Sequence, residues 1–143
     1  MLCVQTTAPS VRHVGSVLST PGFESGVHLL VHCIGPVYAG YHPDESDALL
    51  YDTYRNALAV IHSDPMVTCA AFASISTGIL RFPVKRAATI ALRAVRDTML
   101  ERDFTTKIAF VCLDPAVLTA FQRAQREMLH DLRTATYHLA STV

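Results

Sequence analysis

The sequence has no tryptophan and no charge excess: Lys plus Arg number 12 and Asp plus Glu number 12, for a net charge of zero at pH 7. Without a basic bias there is no field to draw the chain onto nucleic acid, and none is expected as a partner. Charged residues make up only 17% and apolar residues 50%, which excludes a disordered chain. No apolar run reaches the roughly 18–20 residues of a membrane-spanning helix, so no membrane partner is expected. The opening "MLCVQTTAPS" lacks the charged start and long apolar stretch of a signal peptide. Repeats and low-complexity tracts are missing. The four cysteines, Cys3, Cys33, Cys69 and Cys112, form no CxxC and no Cys/His pair at zinc-ligand spacing. They read as reduced, buried small hydrophobes of a cytoplasmic protein, the nucleus being left open. The 143 residues suffice for one domain, 1–143, with 131–143 as a helix continuation or a loose tail.

Strands alternating with helices are plainly there. "HVGSVLST" (13–20) alternates weakly and stops at Pro21-Gly22. "VHLLVHCIG" (27–35), "MVTCAAFASI" (66–75) and "KIAFVCL" (107–113) are continuous apolar runs, the pattern of strands buried on both faces. Helical periodicity marks 47–61, with Leu50, Tyr54, Leu58 and Ile61 on one face. It recurs over 83–100, with Ala87, Ile90, Ala91, Ala94, Val95 and Met99 together. Asp44, Glu45 or Ser46 is expected to cap the first helix, and Pro83 suits the first turn of the second. Asp114-Pro115 opens a last helix, with Asp114 at the N-cap. The order β-β-α-β-α-β-α predicts an α/β fold: a three-layer α/β/α arrangement around a mostly parallel sheet.

In such a sheet ligands gather at the carboxyl ends of the strands. Two corners lie there, "CIGPVY" (33–38) and "SISTGILRFP" (74–83). In the second, Ser76, Thr77 and Gly78 stand between a strand and a helix start, the setting of a backbone anion site. Gly78 permits a positive φ. Lys85 and Arg86 are poor neighbours for a helix N-terminus unless an anion sits close by. An ordinary connecting turn explains the same residues, and neither a Walker loop nor a GxGxxG fingerprint is present. Other candidates have plainer readings. His28 and His32 lack acidic or cysteine ligands at matching spacing, so no metal is expected, and His32 reads as a hydrogen-bonded core histidine. Tyr38 and Tyr41 read as packing residues. Ser76 lacks the context of a catalytic nucleophile. The mixed charges of 123–133 read as a solvated helix face.

The ordered set "VHCIGPVYAG", "DALLYDTYRNAL", "AAFASISTGILRFPVKRAATIALRAVRDTML" and "KIAFVCLD" resembles the second half of a macrodomain, the ADP-ribose-binding module, in the branch that includes ADP-ribosyl-hydrolases. The likeness runs from about residue 13 to 121. It implies a loop that wraps the diphosphate and distal ribose, falling here on Ser76, Thr77, Gly78, Ile79 and Leu80, with Arg81 beside them. It places Leu113 and Asp114 near the adenine. It implies ADP-ribose, free or on a modified protein, as ligand and partner, with no further cofactor. If the chain is catalytic, the resemblance implies hydrolysis of ADP-ribosyl or O-acetyl-ADP-ribose linkages.

Departures from the family pattern are equally specific. Leu80 stands where an aromatic residue is usual, and Arg81 where glycine is usual. The family's early aspartate for the adenine amine, its asparagine-containing segment and its glycine-rich loop have no counterparts. The chain is therefore expected to be a fragment or a shortened domain lacking the family's N-terminal strands, and no catalytic residue is assigned. A sheet so shortened exposes an edge, for which a homodimer or a partner chain completing the sheet is expected. The other reading of the same departures is a degenerate, non-catalytic module used for interaction or assembly.

Overall fold

The structure, a computed structural model, describes residues 13–40 and 42–140. Four strands and three long helices follow the expected order: β1 (Val17–Pro21), β2 (Leu29–Cys33), α1 (Pro43–Ser63), β3 (Cys69–Ala73), α2 (Val84–Glu101), β4 (Lys107–Val111) and α3 (Pro115–Ala140). The α/β class is as expected. Of the two pairings among the described residues, β1–β2 is antiparallel, with Val17 opposite Cys33, and β3–β4 is parallel, with Cys69 opposite Lys107. Each ladder stands as its own two-stranded sheet.

Local chemistry sets the helix ends. α1 begins at Pro43, whose missing N–H is one no helix would bond. Its N-cap is His42, so Asp44 and Glu45 fall in the first turn rather than at the cap position expected of them. There they face the positive helix end, a favourable place for carboxylates. α1 stops before Asp64, which precedes Pro65 and is extended (φ −108°, ψ 105°), as a residue before proline tends to be. Pro83 sits at the N-cap of α2, one position before the expected first turn. Asp114 caps α3 as expected: its carboxylate accepts the Ala116 N–H at 2.7 Å. The segment from 131 to 140 continues that helix, and the last three residues lie outside the described ones.

The core lies between the strands and the helices. Leu50, Tyr54, Leu58 and Ile61 of α1 are all buried, as their period predicts. α2 buries Ala87, Ala88, Ala91 and Ala94, and such short side chains let α1 and α3 pack closely on either side of it. Met99 is exposed, and Thr98 takes the buried place expected of it. The threonine fits because its hydroxyl is satisfied, donating to Ala94 C=O at 2.8 Å and accepting from the Arg55 guanidinium at 3.0 Å. Tyr54, Phe72, Phe110 and Phe121 form one aromatic chain across α1, β3, β4 and α3, with centroids 4.6–6.2 Å apart.

Burial on the strands departs from the two-faced expectation. Along β3 and β4 side chains alternate: Ala70, Phe72, Ile108 and Phe110 point into the core, while Cys69, Ala71, Ala73, Ala109 and Val111 are exposed. β2 does likewise, leaving Leu30 and His32 exposed. The helices cover one face only among the described residues. Hence Cys69 is exposed and Cys33 and Cys112 are only half-buried, against the expectation of buried thiols. Cys3 lies outside the described residues. His32 is no core residue, though it is hydrogen-bonded, to the Thr20 hydroxyl at 3.0 Å.

Candidate functional site

The parallel register places the ends of β3 and β4 side by side, with Ala73 opposite Val111. The 74–83 corner and the Leu113–Asp114 pair therefore leave the same end of the sheet. The first corner joins them. Tyr38 N–H donates to Leu80 C=O at 3.0 Å, and the Tyr38 ring meets Phe82 edge-on at 4.9 Å. Gly35 lies against the loop so closely that a Cβ there would overlap the Ser76 hydroxyl and the Ile75 side chain. No sequence pattern singled out that contact: "IGP" reads as a strand stop, and only the fold brings Gly35 under Ser76.

The loop is held from inside. The buried Tyr54 hydroxyl accepts the Ile75 N–H at 3.0 Å, and burial pushes this phenol well above its ordinary range. Phe82 N–H donates to Ser76 C=O and Arg81 N–H to Gly78 C=O, both at 2.9 Å. The Thr77 hydroxyl donates to Ser74 C=O at 3.0 Å. The left-handed conformations fall on Ser76 (φ 65°) and Arg81 (φ 56°). Gly78, the residue expected to need such freedom, has no positive φ and open space where a Cβ would be. Its small size therefore leaves room above the loop and is not required by the turn.

These bonds leave the amides of Ser76, Thr77, Gly78, Ile79 and Leu80 with no acceptor among the described residues. The hydroxyls of Ser74 and Ser76 are buried and likewise without a partner there. The N-terminus of α2 follows directly, with no side-chain cap and no acidic residue in its first turn. N–H groups without acceptors among the described residues thus lie within a few residues of the positive end of a helix, a combination that favours an anion.

The cations nearby divide. Arg86 is committed to α1: its Nε lies 2.6 and 2.7 Å from the two Asp47 oxygens and its Nη2 3.4 Å from Asp44. Those carboxylates explain Arg86 without an anion, correcting the inference drawn from its place in the sequence. Arg81 is exposed and makes no ion pair among the described residues. Ile79 and Leu113 are 94% and 99% exposed, apolar side chains standing out beside the anion-ready loop. Asp114 is exposed but occupied as the cap of α3. Tyr41 lies outside the described residues. Among the described residues no group of His, Cys, Asp or Glu is placed to hold a metal ion.

The sequence model of the Macro domain matches residues 3–91. The chain belongs to the macrodomain family. The match begins earlier and ends sooner than the quoted motifs suggested. A Macro domain-containing protein of Ralstonia nicotianae, RSc0334, is 38% identical over 113 residues, 79% of this chain and 63% of that protein. An O-acetyl-ADP-ribose deacetylase of Cronobacter turicensis is 33% identical over 76% of this chain and 61% of its own length. Among solved structures, the Oceanobacillus iheyensis macrodomain with ADP aligns at a TM-score of 0.77 and 27% identity, over 83% of this chain and 61% of that one. This macrodomain chain thus spans less than two thirds of the length of these relatives.

Proposed function

We propose that this macrodomain chain binds ADP-ribose or a closely related nucleotide diphosphate, free or on a modified protein. The run of five amides from Ser76 to Leu80, without acceptors among the described residues and just ahead in sequence of an α2 N-terminus with no side-chain cap, carries the reading. A diphosphate would accept from those amides and lie in the field of the helix end. Arg81 supplies an exposed cation in the same loop, and the exposed Ile79 and Leu113 offer apolar surface to a sugar or base. That a relative is a deacetylase of O-acetyl-ADP-ribose and that a structural neighbour was solved with ADP support this ligand class. The reading covers binding; it assigns no residue to bond cleavage.

Gly78→Glu is the discriminating variant. Nothing stands within 4 Å of a Cβ at this position, so the fold should survive, while a carboxylate is set in the diphosphate's place. ADP-ribose binding is expected to disappear with the thermal transition unchanged. A variant that binds as well as the parent removes the loop from the site. On the protein side, the strand edges left unpaired among the described residues suit a homodimer or a partner chain that completes the sheet.

A further inference from the structure

Gly35 has no positive φ, so its own backbone does not ask for glycine. The neighbouring loop does. A Cβ on Gly35 would stand 2.2 Å from the Ser76 Oγ and 2.6 Å from the Ile75 Cγ2, closer than real Cβ atoms come to anything. The glycine side of this contact cannot yield. Upstream, Ile34 is held by both of its backbone groups: its N–H donates to Ser16 C=O at 3.0 Å and its C=O accepts the Gly15 N–H at 2.8 Å. Downstream, Pro36 is fully buried and has a fixed φ. Tyr38 donates to Leu80 C=O at 3.0 Å, and its own C=O accepts from the buried Ser46 hydroxyl at 3.4 Å. An added methyl group therefore has to displace Ile75 and Ser76.

Ser76 is where the loop takes its shape. Its φ is 65°, while Thr77 and Gly78 have no positive φ. A change of hand between successive residues is the backbone form that turns their N–H groups into a concave anion site. The left-handed form costs a serine roughly 1–2 kcal/mol, so its surroundings must hold it there. The Ser76 hydroxyl does not offset that cost, being buried and without a hydrogen-bond partner among the described residues. What fixes Ser76 is its neighbours: the Ile75 N–H on the Tyr54 hydroxyl at 3.0 Å, the Phe82 N–H on its own C=O at 2.9 Å, and Gly35 packed against its side chain.

We infer that Gly35 is a positioning residue of the diphosphate loop: lacking a side chain, it leaves Ser76 the room to hold the left-handed conformation that arrays the following amides for an anion. Its effect on affinity rests on the binding proposed above; its effect on the loop's shape does not. Gly35→Ala is to be made in two backgrounds, the parent chain and Ile75→Leu/Ser76→Gly. The second removes both atoms that the new methyl would meet, and glycine at 76 takes the left-handed form freely. Two quantities are read: exchange of the Phe82 amide, whose N–H closes the loop on Ser76 C=O, and the dissociation constant for ADP-ribose by calorimetry. In the parent background Gly35→Ala is expected to speed the exchange and weaken the binding by about tenfold or more. In the relieved background it is expected to change each by less than about twofold, relative to that background. Equal changes in both backgrounds overturn the inference, because the methyl then acts by a route other than Ile75 and Ser76. So does no change in the parent background, or faster exchange with unaltered affinity in a parent that binds. If Gly35→Ala does not fold in the parent background, folding regained in the relieved one supports the contact as the cause, and failure in both overturns it. A parent that binds no ADP-ribose defeats the binding reading alone, since the Phe82 amide still reports the loop.

Discussion

Ser76 and Arg81 hold left-handed conformations that cost a residue with a Cβ roughly 1–2 kcal/mol each. Arg81→Gly should therefore raise stability by about 1 kcal/mol, read by denaturant melts. It should also weaken ADP-ribose binding several-fold, because the loop loses its uncommitted cation. Higher stability with tighter binding would mean that Arg81 obstructs the site. Tyr54 offers a second test at this scale. In Tyr54→Phe the Ile75 N–H loses its acceptor, which should cost about 1–3 kcal/mol and loosen the loop. An unchanged melt would show that water replaces the hydroxyl. Little of this was legible in the sequence. Ser76-Thr77-Gly78 announced a turn, but glycine drew the expectation of a positive φ that Ser76 and Arg81 carry. Gly35 and Tyr54 support the loop from 40 and 21 residues away respectively, taking Ile75 as the point of contact, and no local pattern reveals such contacts.

The helices were readable because each buries one stripe at helical period, and the stripe survives in the fold. Only local substitutions escaped, such as Thr98 for Met99, where a satisfied hydroxyl matters more than hydropathy. The strands were less so. A continuous apolar run shows that a strand tolerates burial on both faces, yet it cannot show which faces are covered. Between α1 and α2 the polar contacts are specific. Asp97 of α2 accepts from the Tyr51 hydroxyl of α1 at 2.9 Å, and Arg55 of α1 pairs with Glu101 of α2, while within α2 Arg96 donates to Asp97 at 2.7–2.8 Å. Partial burial pushes the Asp97 carboxyl up, but these hydrogen bonds outweigh it and hold the group below its ordinary 3.8. A carboxyl whose folded value is depressed adds stability that is complete above the unfolded value and lost as pH falls through the folded one. Asp97→Asn is therefore expected to cost about 1–2 kcal/mol at pH 7. The deficit should shrink below pH 3.8 and close as the wild-type group protonates. A deficit that is constant from pH 7 to pH 2 would show that the contact does not depend on charge.

At the scale of the molecule, among the described residues three helices cover one strand face and leave the other open, with a groove dividing the two ladders. The α/β class and the family were legible from the order of elements and from motifs that occupy the expected corners. The gap between β2 and β3 was not, because sequence order gives strands but not their pairing. The proposed diphosphate loop draws its amides, its helix and its supporting tyrosine from residues 54–101 and further contacts from Gly35 and Tyr38, so we propose that this chain binds the ligand with the residues it holds. Calorimetric titration of the unmodified chain with ADP-ribose tests that claim directly. The account predicts saturable binding with a dissociation constant in the micromolar range. No heat at about 1 mM ligand, an affinity weaker than about −4 kcal/mol, would contradict it.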